Sequence, residues 1–220
     1  MSNPQHAAVP LVFTPSERVF LFGDRFAKPA GMLGHGEVVL SSGAKVGADE
    51  LAVNAIAAAY LACEQAGAVR LEIRQGKAMF GLVTTRNLHV AAGHKQVSWP
   101  EGSLESWVVQ GAGREPKVSD LTQGLLCSGK ENSPAQAMFE RLKAALAARG
   151  ILHADQKTTL KVFTSVTYSL PDHARAAAEQ GGTQHVQALL DACRQQRPEL
   201  WQELSDDIKA AINTMTASYD

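Results

Sequence analysis

The sequence predicts a mainly α protein: a compact helical domain with a buried central helix and two β-hairpins. Three observations carry this. An alanine-rich stretch over residues 48–66 is apolar nearly all round, as a helix in the middle of a core must be. A second helix is announced at Ser133-Pro134-Ala135-Gln136, a capping box with proline at the first helical position. Each helix is followed by a glycine and then a strand pattern, so that a helix–hairpin unit occurs twice.

In chain order, residues 1–12 read as a flexible tail and 13–220 as a single domain. Ser16-Glu17-Arg18 reads as a turn entering the short buried run Val19-Phe20-Leu21-Phe22, whose type so few residues leave open. Pro29, Gly31, Gly34, Gly36 and Gly43 make residues 23–47 a region of turns, with one strand at 37–40. Asp49 and Glu50 suit the positive end of the helix dipole at the start of 48–66, and Gly67 ends that helix. Residues 69–74 then alternate as a strand, Val69, Leu71 and Ile73 facing one way and Arg70, Glu72 and Arg74 the other. Gln75-Gly76-Lys77 reads as the turn, and 78–84 as the returning strand.

The stretch 85–132 reads as loop, with one short helix near 104–109. In the helix over 134–149, Met138, Phe139, Leu142, Ala145 and Leu146 share a face, and Gly150 ends it. Ile151-Leu152 starts a strand, 154–158 reads as a polar turn, and 160–168 returns with Leu160, Val162, Val166 and Tyr168 in phase. Beyond Pro171 the chain reads as helical at 172–180, 183–194 and 198–215.

Composition narrows the functional classes. The 220 residues are 45% apolar and 20% charged, as folded proteins are, and the net charge is −1. Without a basic surplus, nucleic acid is not an expected partner, and a winged-helix reading of the two helix–hairpin units loses its electrostatic basis. Cys63, Cys127 and Cys193 are too few and too scattered for a disulfide framework or a zinc site, and the start lacks the pattern of a signal peptide, which points to the cytoplasm.

No catalytic constellation emerges. The glycines at Gly31, Gly34 and Gly36 spell neither a Rossmann nor a Walker pattern, and no serine occupies a nucleophile elbow. His89 and His94 lack a third metal ligand nearby, so neither a metal nor a cofactor is expected. The basic residues Arg141, Lys143, Arg149, Lys157 and Lys161 of the second helix–hairpin unit are the candidate lipid- or anion-binding set.

The segment from Phe139 to Leu152, continued by Lys157, Leu160, Phe163, Thr167, Tyr168, Ser169, Leu170 and Pro171, resembles the Golgi phosphoprotein 3 family. The alanine helix ending in Gly67-Ala68-Val69-Arg70-Leu71-Glu72, and the pair Thr85-Arg86, extend the likeness over about 48–86 and 136–172. The resemblance implies a mostly helical, non-enzymatic peripheral membrane adaptor that binds a phosphoinositide and recruits short protein tails. It also implies a membrane-inserting hairpin near 155–166. The positions matching the family's lipid pocket hold Gly47, Ile56, Gln136 and Phe139, which offer no cation. The competing expectation is a small-molecule-binding protein or enzyme that uses the loops 23–47 and 87–115, with a polar pocket near Arg86, His89 or His94. Sequence alone names neither a ligand nor an oligomeric state.

Overall fold

The structure, a computed structural model, describes residues 12–31, 36–78, 83–126, 133–159, 163–180 and 182–217. The protein is mainly α. Among the described residues there are eight α-helices and three two-stranded antiparallel sheets. Helix α2 (Ala48–Gln65) is the axis of the molecule. Leu51, Ala52, Ala55, Ile56, Ala57, Ala58, Ala59 and Tyr60 are all buried, as its all-round apolarity predicts. Small side chains let five helices reach it: α1 (Pro15–Leu21), α3 (Leu104–Ala112), α5 (Pro134–Ala148), α7 (Thr183–Gln196) and α8 (Pro198–Ala217).

The run left open around Ser16–Phe22 is α1. Local chemistry decides it: Thr14 and Glu17 form a reciprocal capping box and Pro15 takes the first helical position. Residues 23–47 hold two strands where one was expected. The strand β1 (Glu37–Val39) pairs with β2 (Lys45–Gly47), which leads directly into α2.

Helices α2 and α5 end in the same way. The N–H of Gly67 bonds the carbonyl of Glu64 at 2.9 Å, and that of Ala68 bonds Cys63 at 2.9 Å. After α5, Gly150 bonds Ala147 at 2.9 Å and Ile151 bonds Leu146 at 2.9 Å. Both are Schellman caps. They need a left-handed residue, and the two glycines supply it at φ +76° and +71°.

Both hairpins depart from expectation in register. The first runs β3 (Val69–Ala78) against β4 (Val83–Ala92), so Gln75-Gly76-Lys77 lies inside a strand, Gly76 opposite Thr85. Glycine marked a turn in the sequence, but here pairing continues past it. The second pairs β5 (His153–Thr159) with β6 (Phe163–Ser169). The polar stretch 154–158, expected to be the turn, is therefore a strand. His153, Ala154, Asp155 and Gln156 are exposed, so nothing forces the apolar alternation by which a half-buried strand is read. Leu160, Lys161 and Val162 lie outside the described residues.

Within 85–132 the expected short helix is α3, and α4 (Val118–Leu126) was not anticipated. Cys127 lies outside the described residues. The C-terminal helices α6 (Asp172–Gln180), α7 and α8 are close to where the sequence placed them. One hydrophobic cluster runs from Phe13 to Ile212. None of the helices among the described residues is long and apolar enough to cross a membrane.

One buried carboxyl and one half-buried one make stability pH-dependent. Glu105 is fully buried and receives the Ser16 N–H at 2.8 Å and the Ser16 hydroxyl at 2.7 Å. Loss of hydration outweighs those bonds and raises its pKa. Asp207 on α8 is pushed up to about 6 by burial, then by Glu203 and Asp120, against the opposing pull of the Leu88 N–H and Lys117. A raised folded pKa means that the folded state holds the proton more tightly than the unfolded chain. The stability it contributes is complete in acid, below the ordinary carboxylate pKa, and is lost as pH rises through about 6 for Asp207. Melting temperature is therefore expected to fall between about pH 4 and pH 7, with the slope reduced in Asp207→Asn. An equal slope in that variant would remove Asp207 as the cause.

Candidate functional site

A groove forms where β1, α5 and β6 meet. It joins a cavity of about 340 Å³ to a neighbouring one of about 370 Å³. The floor comes from Phe20 and Leu21 of α1 and from Leu152. Val39 and Leu40 line one wall, and Val166, Thr167 and Tyr168 line the other. Val39 and Val166 are 50% and 41% exposed, two of four large apolar side chains so open among the described residues. The Ser41 hydroxyl in the same wall is buried without a hydrogen-bond partner among the described residues.

Polar groups occupy the α5 side. Lys143 pairs with Glu140 at 2.7 Å, and both side chains border the two cavities. Gln136 Nε2 donates to the Glu37 carbonyl at 2.8 Å. Ser133 still caps α5 by accepting from the Gln136 N–H, but the Gln136 side chain turns to β1 instead of closing the capping box. Lys45 pairs with Glu37 at 2.6 Å across the β1–β2 sheet.

Three of the four positions suggested by resemblance gather here. Gly47 lies opposite Glu37 in the ladder, and Gln136 and Phe139 line the groove. Phe139 is 1% exposed and stacks on Phe20 with ring centroids 5.3 Å apart. Ile56 stands apart, buried in α2.

The candidate cations do not share one face. Lys143 borders the groove just described. Arg141, two residues along α5, points to the other side of the helix, where its Nη1 donates to the Leu125 carbonyl at 3.2 Å. It borders a second groove with Trp107, Leu125 and Leu142. Arg149 grips the buried Glu17 with both Nη atoms and the Val12 carbonyl at 2.7 Å, so its guanidinium holds α1 to the end of α5. Lys157 belongs to β5, with a side chain that is not described, and Lys161 lies outside the described residues.

Among the described residues, the cavities lined by the loops 23–47 and 87–115 are separate ones. Residues of the first line the β1 groove, and Trp107 and Gln110 of the second line one groove against α5 and another between α3 and α4. His89 Nδ1 lies 3.0 Å from the Glu115 carbonyl, and Arg86 pairs with Glu199 at 2.7 Å and Glu203 at 3.3 Å. These side chains are satisfied at the protein surface and converge on no common cavity among the described residues. No His, Cys, Asp and Glu cluster suited to a metal occurs among the described residues either.

Sequence reasoning missed Val39, Ser41 and Glu140 as groove residues. The usable signal was the second valine of Val38-Val39-Leu40, an apolar residue on the outward side of a strand whose neighbours are buried. No protein-family model matches the chain, and no curated protein or solved structure matches it.

Proposed function

We propose that this protein is a non-enzymatic peripheral adaptor of the Golgi phosphoprotein 3-like type. It works in the cytoplasm, against an anionic membrane surface and on short protein tails. The carrying observation is the open apolar pair Val39 and Val166, on a groove between two hairpins whose rim holds Lys143. Exposed apolar side chains rimmed by polar groups are the usual mark of an interaction surface. In this reading α2 with β3–β4 and α5 with β5–β6 are two copies of one helix–hairpin unit. The second copy carries the membrane-facing hairpin, with Lys157 and Lys161 as lipid contacts and Lys143 at the rim of the groove beside it; Arg141, on the opposite side of α5, lies apart from that contact.

Lipid binding of this kind is weak and not specific for one phosphoinositide. Specific phosphate recognition needs guanidinium forks at fixed positions. Gly47, Ile56, Gln136 and Phe139 supply none. Exposed lysines attract anionic lipid at on the order of 1 kcal/mol each, and salt screens them beyond roughly 8 Å at physiological ionic strength.

Co-sedimentation with phosphatidylserine vesicles is therefore expected to fall steeply as salt rises. Lys157→Glu with Lys161→Glu is expected to abolish it while leaving the melting temperature unchanged. Salt-resistant binding that selects phosphatidylinositol 4-phosphate over phosphatidylserine would overturn this reading.

A further inference from the structure

Strand β3 has a free edge whose charge pattern complements itself. In the β3–β4 register, the Gly93 N–H bonds the Ala68 carbonyl at 2.8 Å. That bond sets the parity of the ladder. The even residues of β3 turn their backbone groups to β4, and the odd residues Val69, Leu71, Ile73 and Gln75 turn theirs outward. Two independent bonds agree: the Leu71 N–H reaches out to Glu64 Oε1 at 3.3 Å, and on the far side of the hairpin the Val90 N–H reaches out to the Pro116 carbonyl at 3.0 Å. The outer edge of β4 is covered by α4 and α8. On the β3 edge, Ile73 and Gln75 have no hydrogen-bond partner for their backbone groups among the described residues. From Ile73 to Gln75 the edge is uncovered, and an uncovered strand edge is a template for another strand.

The side chains beside that edge state which strand fits. Arg70, Glu72 and Arg74 alternate in sign on the face away from the core. If a second copy of β3 runs antiparallel about Ile73, Ile73 faces the partner's Ile73 and each Glu72 faces the partner's Arg74. Ile73 is an outward-pointing residue, so the central pair can exchange both hydrogen bonds. The Gln75 N–H then meets the partner's Leu71 carbonyl, and the partner's Gln75 carbonyl replaces Glu64 Oε1 at the Leu71 N–H, so that Glu64 keeps its pair with Arg197. The charges now pair within the chain, Arg74 with Glu72 and Glu115 at 2.8 Å each, but these pairs are half-exposed and open to redirection.

We infer that β3 is a self-association edge through which two copies of this chain form a continuous four-stranded antiparallel sheet about a twofold axis at Ile73. The twofold makes every contact occur twice, so opposite charges directly across the strands stabilise the dimer in pairs and like charges oppose it in pairs.

Sedimentation velocity on the full chain tests this. A monomer–dimer equilibrium is expected by concentrations on the order of 100 μM. Amide exchange at Ile73 and Gln75 should slow as concentration rises. Glu72→Arg alone and Arg74→Glu alone each set two like-charge pairs across the axis and should weaken dimerisation by about tenfold or more. The double variant Glu72→Arg with Arg74→Glu restores opposite charges in this register alone, and dimerisation should return. Gln75→Pro removes an outward N–H, which an edge strand tolerates without unfolding, and should also weaken the dimer. A melting curve on each variant shows that the monomer still folds. A chain that stays monomeric, a dimer indifferent to the single swaps, or a double swap that fails to restore it would each overturn the proposal.

Discussion

Arg149→Ala is expected to lower folding stability by about 3–5 kcal/mol, the usual cost of leaving a buried charge without its partner. Glu17 is fully buried at the start of α1. Its carboxylate accepts the Thr14 N–H at 2.9 Å and both Nη atoms of Arg149. Without the guanidinium, desolvation of that carboxylate is no longer offset, and the Val12 carbonyl loses its donor as well. Lys45→Ala is the contrast: its pair with Glu37 is exposed on both sides, and its loss should cost less than about 1 kcal/mol. Urea titrations of the two variants measure the difference. Adding Glu17→Gln to Arg149→Ala should recover part of the loss, because the stranded charge is then gone. A cost below about 1 kcal/mol for Arg149→Ala would show that the pair does not hold α1 to α5. The result bears on function too, since any loss of vesicle binding in Arg149→Ala has to be separated from loss of fold.

Phe139→Arg is expected to destabilise the fold by at least about 4 kcal/mol and to create no lipid site. The resemblance places an arginine of the lipid pocket at this position, yet here the side chain is sealed between α5 and α1 against Phe20. Removing the ring leaves a cavity, and a guanidinium in its place would be buried without a carboxylate. Gln136→Arg is the informative partner, because position 136 borders the groove. It should cost only about 1 kcal/mol for the lost bond to the Glu37 carbonyl and should increase binding to anionic vesicles. Thermal melts beside co-sedimentation separate the two effects. A folded Phe139→Arg protein with tight phosphoinositide binding would show that the groove can open where the ring now sits.

Much of the helical architecture could be read from local chemistry. The all-round apolarity of 48–66, the two Schellman glycines and the repeating apolar faces of α5 and α8 are signals that neighbouring residues carry among themselves. Hairpin registers were less legible. Gly76 looks like a turn until its partner Thr85 is known, and 154–158 looks like a loop because a strand with little to bury has no period.

The site was the least legible part. Five cations close in the chain made up the candidate lipid- or anion-binding set, whether or not they shared a face. Helix geometry sent Arg141 and Lys143 to opposite sides of α5, and a buried acid 132 residues away claimed Arg149. Fold class and most helix ends were thus set by contacts within a few residues, where propensity, capping and periodicity act. Which side chains stand free at the groove was decided by packing between distant segments. Exposure depends on what a residue's neighbours in space cover, and a local sequence pattern does not contain those neighbours.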